Sequence, residues 1–508
     1  MSFMISSSTL KQIGAFVLGT CVVIFVCTTW HWPFVGDEAF IRYVIFLMHH
    51  GMAPYRDIVD INMPGAYAVD WLVVRLFGSG SLAWRIFDFA LMGLATVAAV
   101  AIARPYDWFA GIYAGFLFML IHGRDGVAQA GERDLTMSVL LLGAVALLFY
   151  ARRNKSWVAT AFFGLLCGCA SIIKPTVIPL GFVLLLMLTV DRRRAHSPIL
   201  AHAIGGIAGL LLPLLLTFLF LVRQHAVHAF LYTLRTLLPY HASIGRLPMF
   251  YFLWHSFASE LVPILLVWLT IALLQKDWRS WERAVLLVCL AFGLVSLIVQ
   301  GKGFPYHRYP SEAFLLLLAG IDFTVALQLR GKLKVLGVVG LALGVLVLAP
   351  ISTIKAARYQ GKIPETSAML QADLNRLGGQ ALSGNIQCID TVGGCIFTLN
   401  RMRLVQSTGF LYDCYLFAPK PSPVQQEYRA RFWRELQTHP PKVFVVTNRL
   451  CMNVRGSSFN KLEQWPQFDE YLQADYTLEV QRTPPHEVRW WNQPTQPTSY
   501  RIYVRKAN

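Results

Sequence analysis

The stretch that decides the fold is His31–Gly65, with the sequence HWPFVGDEAFIRYVIFLMHHGMAPYRDIVDINMPG. It follows a long apolar segment and soon reaches two adjacent acids, Asp37 and Glu38. A charge at the edge of a hydrocarbon layer costs free energy unless it is solvated, paired or used, so ionisable groups at this depth indicate function. Simple exposure to water would also explain two acids behind a helix end. The pattern predicts the first outward loop of a membrane-embedded protein.

The composition of the whole chain indicates a polytopic membrane protein. Of the 508 residues, 55% are hydrophobic and only 14% are charged, whereas soluble proteins have about 25% charged residues. The net charge is +17, but many of the Lys and Arg residues fall in short clusters between apolar segments, as the positive-inside rule describes. Nucleic acid is therefore not expected as a partner. The first apolar run is too long for a signal peptide and lacks an A-x-A exit, so it predicts an uncleaved first span.

Apolar segments long enough to cross the bilayer recur along the first two thirds of the chain. A hydrocarbon core of about 30 Å needs about 20 apolar residues per helix, which gives about eleven spans. The predicted spans are residues 13–30, 84–103, 107–122, 135–151, 157–173, 175–190, 199–222, 260–275, 284–300, 311–329 and 333–352. The amphipathic segment 66–77 is too short to cross and is expected to lie in the membrane interface.

Charge divides the connecting loops into two groups, because Lys and Arg near helix ends are retained in the cytoplasm. Basic clusters begin at Arg152, Asp191, Lys276 and Arg330, and all fall on one side in this count. The opposite, outer loops are expected at 31–83, 123–134, 174–175, 223–259 and 301–310. The chain accordingly divides into a transmembrane domain, residues 1–354, and a C-terminal domain exported to the outer side, residues 355–508.

The C-terminal domain has the composition of an ordinary α/β domain. Apolar runs predict strands at 385–389, 442–446, 476–480 and 500–504, and helical periodicity occurs at 366–377 and 424–437. Its four cysteines are Cys388, Cys395, Cys414 and Cys451. In an oxidising compartment they could form two disulfides, and three pairings are possible.

The second outer loop repeats the acidic feature of the first. Glu132 and Asp134 stand at the start of an apolar helix, where the helix dipole favours a negative charge by about 0.3–1 kcal/mol. The dipole accounts for one acid but not for the dense Glu-Arg-Asp triplet. We therefore identify Asp37, Glu38, Glu132 and Asp134 as candidate catalytic residues, which could position an acceptor, bind a divalent cation or accept a proton. Outer-side histidines, at positions 31, 49, 50, 122 and 307, make a metal site conceivable but do not assign one.

Basic residues complement these acids on the same side. Lys174 interrupts an apolar run, and the loop 300–310 contains Lys302, Tyr306, His307 and Arg308. Snorkelling or contact with lipid headgroups could explain such cations. The Gly, Pro and Tyr content of the loop favours a shaped pocket instead, and Lys and Arg are the usual residues for binding phosphate. Asp60 and Arg133 complete the predicted substrate-binding set.

The order and sidedness of these features resemble the GT-C glycosyltransferases. The nearest branches are the dolichyl-phosphate-mannose protein mannosyltransferases and the bacterial aminoarabinose lipid A transferases, over roughly residues 10–350. By position, Asp37 matches the first-loop catalytic acid, and Asp134 or Glu132 matches the second-loop acid. Lys174, Lys302 and Arg308 match phosphate-contacting positions loosely. Relatives often have Pro-Pro after an acidic residue, whereas this chain departs from them with Asp60-Ile61-Asn62-Met63-Pro64-Gly65.

The resemblance implies an inverting hexosyl- or pentosyltransferase in the bacterial inner membrane. Such an enzyme moves a sugar from a polyprenyl-phosphate donor to an envelope glycan, lipid or protein on the outer face, in contact with membrane lipid. Because a phosphate leaves as a weakly basic anion, one carboxylate base suffices, and Asp37 is the candidate. A lipid-linked substrate transporter is the alternative class. Transporters tend to have internal repeats and broken helices near the midplane, and neither is clear here.

Overall fold

The computed structural model describes residues 6–34, 36–194, 199–256, 259–275, 280–358, 365–452, 458–485 and 498–507. Most of residues 6–358 form helices, and the helices of the first part of the chain, numbered in chain order, are α1 Ser7–Thr29, α2 Asp37–His49, α3 Pro64–Phe77, α4 Ser81–Ala103, α5 Trp108–Asp125, α6 Arg133–Asn154, α7 Trp157–Ile173, α8 Val177–Arg194, α9 Ile199–Arg223, α10 Val227–Tyr232, α11 Leu238–Ser243, α12 Met249–Ser256, α13 Val262–Gln275, α14 Trp281–Gln300, α15 Tyr309–Ala326, α16 Lys332–Ala342 and α17 Ala349–Arg358. A π-helical segment, Leu343–Leu348, joins the last two into one continuous helix.

Each apolar segment predicted to span the membrane is a helix in the structure. Within the described residues, seven helices are long and apolar enough to cross a bilayer by length and composition. The count of about eleven crossings, and their direction, stay predictions. The predicted tight turn at Lys174 is confirmed, since α7 ends at Ile173 and α8 begins at Val177. The last helix continues past the proposed domain boundary at 355, to Arg358.

Two of the predicted inner clusters, those that begin at Arg152 and Asp191, lie together at one end of the bundle. Arg152, in the last turns of α6, donates hydrogen bonds to Asp191 at 2.9 Å and to Glu282 at 2.6 Å. These contacts tie α6 to α8 and α14 beside the basic residues that the charge pattern grouped. The cluster at 276–279 lies outside the described residues.

The predicted first outer loop is more ordered than its polar composition suggests. Gly36, with a φ of +80°, turns the chain directly into α2, so Asp37 and Glu38 form the first turn of a helix. The amphipathic helix α3 packs beside it. Arg42 donates a bidentate pair of hydrogen bonds to the buried carboxylate of Asp70, at 2.6–2.9 Å. The pair satisfies two charges that would be costly to bury alone, and it fixes α2 against α3.

The C-terminal domain is a four-stranded sheet covered by helices, and all four predicted strands and both predicted helices are confirmed. The strands are β1 Ile386–Ile389, β2 Val443–Thr447, β3 Tyr476–Arg482 and β4 Tyr500–Arg505, and the helices are α18 Glu365–Arg376, α19 Cys395–Met402, α20 Cys414–Phe417, α21 Pro423–Thr438 and α22 Pro466–Asp475. The strand order is β1-β2-β4-β3, with β1 parallel to β2 and the other pairs antiparallel. Disulfides join Cys388 to Cys395 and Cys414 to Cys451, which selects one of the three possible pairings.

The C-terminal domain packs directly on the first outer loop. The amide of Val59 donates to the carbonyl of Gly409 at 2.8 Å, and a Cβ at Gly409 would lie 1.7 Å from the carbonyl oxygen of Asp57. The hydroxyl of Tyr43 in α2 donates to the carbonyl of Leu404 at 2.9 Å. One apolar core contains residues of α2 together with the sheet, so this domain and the first loop pack as one unit.

Candidate active site

A cavity of about 1250 Å³ opens between the C-terminal domain and the end of the helix bundle that carries the predicted outer loops. Each of those loops contributes to its lining. The predicted site residues that line it are Asp37, Glu132, Arg133, Asp134, Lys174, Lys302, Tyr306, His307 and Arg308. Glu38 and Asp60 are not among the lining residues. The structure thus brings together polar residues from distant parts of the chain, and Asp37 and Tyr306, 269 positions apart, are in direct contact.

Asp37 is held at the cavity wall by one cation and one phenol. Its Oδ2 accepts a hydrogen bond from Arg133 Nη2 at 2.9 Å and one from the Tyr306 hydroxyl at 3.3 Å. The side chain keeps 26% of its exposure. Within the described residues both hydrogen bonds use Oδ2, so Oδ1 is available to accept a hydrogen bond from a substrate hydroxyl. Arg133 also donates to Asn62, which fixes the guanidinium.

Glu38 and Glu132 are buried carboxyl groups near Asp37, and of the two only Glu132 lines the cavity. Glu38 is 2% exposed, and its Oε1 has no hydrogen-bond partner among the described residues. Burial raises the pKa of Glu38 well above its usual range, and the neighbouring Glu132 raises it further. Burial, and then the charge of Asp37, likewise raise the pKa of Glu132. Glu132 also caps α6, where its side chain accepts from the Arg133 amide at 3.3 Å. Both carboxyl groups therefore favour the protonated form.

The two lysines of the cavity differ in their partners. Lys174 donates to Asp134 and, at 2.9 Å, to Gln300, and burial lowers the pKa of its ammonium group despite the nearby carboxylate of Asp134. Lys302 lies 3.7 Å from the sulfur of Met452. Burial lowers the pKa of Lys302 to about 8, although the charge of Asp37 opposes the shift. Lys302 therefore changes its charge close to neutral pH.

Arg308 has most of its donors occupied by protein. It donates to Asp125 at 2.9 and 3.0 Å and to Glu312 at 2.8 Å. The sequence analysis did not single out Asp125, although it lies in the second outer loop, three residues after His122. Its position at the end of an apolar helix was the available signal. The pairing makes Arg308 part of a buried ionic cluster at the cavity wall.

Asp60 and the histidines lie in other settings. Asp60 is fully buried and accepts hydrogen bonds from Asn62 and from the Tyr67 hydroxyl at 2.9 Å, so it organises the first loop rather than the cavity surface. Of the outer-side histidines, His122 is buried in the helix bundle and His307 lines the cavity, whereas the other three are exposed. Within the described ranges, no three His, Cys, Asp or Glu side chains form a group that could hold a metal ion.

The C-terminal domain forms one side of the cavity, which we call the roof. The sequence did not predict that this domain contributes to the site. Thr391 and Val392 follow β1, Tyr412 precedes α20, and Arg449 to Met452 follow β2; all of them line the cavity. Tyr412 stacks on Phe40 of α2, with ring centroids 4.5 Å apart. Polar residues after parallel strands were the signal that could have located the roof, since such strand ends commonly face binding sites.

Two comparisons with known proteins agree with this architecture. A family model described as dolichyl-phosphate-mannose-protein mannosyltransferase matches residues 62–238. ArnT from Cupriavidus metallidurans, solved bound to undecaprenyl phosphate, is 12% identical over 96% of this chain and 97% of that chain, with a TM-score of 0.58. The oligosaccharyltransferase AglB from Archaeoglobus fulgidus, solved with an inhibitory peptide and a dolichol-phosphate, is 12% identical over 86% of this chain and 69% of that chain, with a TM-score of 0.52. Sequence comparison with curated proteins gives no match.

The chain is a polytopic α-helical membrane protein with a small C-terminal α/β domain. More particularly, it has the GT-C fold of membrane glycosyltransferases, shared with ArnT and AglB. The fold class predicted from the order of the loops is confirmed.

Proposed function

We propose that this protein transfers a sugar from a polyprenyl-phosphate carrier to a hydroxyl group of an envelope glycan, lipid or protein. The observation that carries the proposal is the convergence of Asp37, Arg133, Lys174 and Lys302 in one cavity at the end of the bundle. Two of the similar structures support the donor class, since one contains undecaprenyl phosphate and the other a dolichol-phosphate.

The proposed reaction is a single inverting displacement at the anomeric carbon. The acceptor oxygen forms a bond to C1 while the bond from C1 to the phosphate oxygen breaks, and polyprenyl phosphate departs as an anion. Asp37 takes the acceptor proton through Oδ1, while Arg133 and Tyr306 hold Oδ2. A positioned base of this kind contributes about 10²–10⁴ in rate. Cations at the departing phosphate stabilise the charge that grows in the transition state.

The cavity offers several cations for that phosphate. Lys174 and Lys302 project into it from different loops, and Arg133 lies between the acids. The ion pairs of Arg308 support a structural role for this residue, because two carboxylates already occupy its guanidinium. Asp134 orients Lys174.

We place the protein in a bacterial inner membrane, with the cavity and the C-terminal domain on the exported side. The opposite end of the bundle carries the basic clusters around Arg152, which is the sidedness that the positive-inside rule describes. The roof is formed by the C-terminal domain, so we assign the choice of acceptor to that domain.

The test is transfer by the purified protein in detergent. Polyprenyl-phosphate sugars are supplied with envelope glycolipid extract, and mass spectrometry follows both the glycosylated product and free polyprenyl phosphate. We expect both products to appear in equal amounts. Movement of the lipid-linked sugar across vesicles without any product in detergent would refute transfer and identify a transporter. Comparison of envelope glycolipids from a deletion strain would then name the sugar and the acceptor.

A further inference from the structure

We propose that Asp88, His122 and Tyr309 form a buried hydrogen-bond network. This network sets the distance between the acidic segment, residues 132–134, and the basic segment, residues 302–308. The inference rests on the proposed function in treating these two segments as parts of one active site. None of the three residues is among those that line the cavity. They are therefore positioning residues, which act through the segments that they hold.

Asp88 is the centre of the network. It is fully buried in α4. Its Oδ1 accepts from the Gly131 amide at 2.6 Å and from His122 Nε2 at 3.0 Å, and its Oδ2 accepts from Arg85 Nη1 at 2.5 Å. A buried carboxylate is tolerated only when it is paired and hydrogen-bonded. Asp88 meets both conditions, because it is paired with Arg85 and accepts a hydrogen bond from the turn that leads into the acidic segment.

The turn at Gly131 is held by α4 from two sides. Gly131 has a φ of +67°, and a Cβ there would lie 2.4 Å from the Trp84 ring. Trp84 Nε1 donates to the carbonyl of Ala130 at 2.8 Å, next to the amide that donates to Asp88. Glu132 follows Gly131 directly, so contacts made by α4 fix where α6 begins and where its acids stand.

His122 connects this turn to the basic loop. Its Nε2 lies 3.0 Å from the carboxylate of Asp88 and donates to it, and in the neutral imidazole Nδ1 then accepts from the Tyr309 hydroxyl, 2.9 Å away. The partner on one ring nitrogen sets the role of the other. Tyr309 begins α15 and follows Arg308 directly. The His122 imidazole thus links the acidic segment to the basic segment.

Small errors in such a link have large kinetic effects. A misplacement of about 1 Å caused by a change away from the reacting atoms can lower a rate by about 100-fold. Loss of relative position affects the transition state more than the binding of a long lipid donor. We therefore expect kcat to fall while KM for the donor changes little.

The first test removes one oxygen atom. Tyr309→Phe leaves the ring in place and takes the donor from His122, and we expect kcat to fall about 10-fold with KM for the donor within about twofold. Tyr113→Phe is the matched control. Tyr113 is equally buried, donates one hydrogen bond, to the Gly340 carbonyl at 3.0 Å, and lies roughly 14 Å along α5 from His122. We expect it to keep the wild-type kcat.

A conservative replacement distinguishes positioning from bulk stability. His122→Gln keeps one donor and one acceptor, whereas His122→Leu keeps only volume, so His122→Gln should retain several times more activity. Wild-type kcat in both Tyr309→Phe and His122→Leu would overturn the proposal. So would an equal loss in Tyr113→Phe, since that would assign the effect to general destabilisation.

Hydrogen exchange gives a readout that needs no turnover. The Gly131 amide is protected by Asp88, so His122→Leu should raise exchange in the peptide 127–134 severalfold, whereas Tyr113→Phe should not. If the wild-type protein transferred no sugar, this experiment would still test the link, and the failure would belong to the proposed function. Unchanged exchange in His122→Leu would refute the link even in an active enzyme.

Discussion

Replacing Asp37 by asparagine separates proton transfer from structure. The amide side chain of Asp37→Asn has the same size as the carboxylate and retains an oxygen that can accept from Arg133, which donates to Asp37 at 2.9 Å. The amide cannot take up a proton, however. If Asp37 is the general base, turnover should fall by about 10²–10⁴. That loss corresponds to an increase of about 2.7–5.4 kcal/mol in the activation barrier.

The cost in stability should be much smaller. The side chains of Asp37 and Arg133 are 26% and 22% exposed, so water screens the pair. A screened ion pair of this kind contributes at most about 1 kcal/mol. A properly folded Asp37→Asn protein is therefore expected, and its thermal unfolding in detergent should shift by only a few degrees. The activity loss cannot then be attributed to unfolding.

The assay is single-turnover release of polyprenyl phosphate from a saturating donor. Asp57→Asn is the matched control, because Asp57 belongs to the same loop and pairs with the exposed Arg56 at 2.8 Å, away from the cavity. We expect it to keep the wild-type rate. A folded Asp37→Asn protein that works within about threefold of the wild-type rate would refute the base assignment, since the loss would fall below the range for general-base catalysis.

Three further predictions follow from the charges and cross-links around the cavity. Burial places the pKa of Lys302 at about 8, so its ammonium group loses its proton as pH rises through that value, and kcat/KM for the donor should fall above pH 8. In Lys302→Arg, kcat/KM should stay level to higher pH. Identical pH profiles for the wild type and Lys302→Arg would contradict a role of Lys302 in phosphate binding. Arg308→Ala removes the ion pair of the buried Glu312 and leaves the buried Asp125 paired with Arg124 alone. It should lower the free energy of unfolding by about 3–5 kcal/mol, whereas an intact melting temperature with a raised donor KM would restore the phosphate role. Replacing both Cys414 and Cys451 by serine removes a disulfide that links residues 37 positions apart. The free energy of unfolding, measured by thermal unfolding, should fall by about 2–4 kcal/mol. Replacing the exposed free cysteine Cys27 by serine is the control, and we expect it to cause no change.

Several features of the site were predictable because they depend on local patterns. The acids of the first two outer loops follow or open apolar helices, and Lys174 and Lys302 fall at helix ends on the same side. Because successive membrane spans alternate in direction, these loop residues lie on the same side of the membrane however the helices pack against one another. These side chains line one cavity because they lie on the same side of the membrane and the ends of their helices are close together.

Other features depend on partners that are distant in the chain. Glu38 follows Asp37 in sequence, but the first turn of α2 directs it into the protein. Arg308 has the sequence setting of a phosphate ligand, yet Asp125 and Glu312 lie against it. Tyr412 and Arg449 reach the cavity only because the C-terminal domain packs on α2.

The sequence by itself determined the membrane class, the apolar helices, the strands of the C-terminal domain and the loops that carry charge, because hydropathy and short-range spacing act within one element. Only the tertiary structure decided which charges face the cavity, which neutralise one another and how the cysteines pair. Those outcomes depend on side chains brought within about 3 Å by packing between elements, and a hydrogen bond or ion pair is specific at that distance alone.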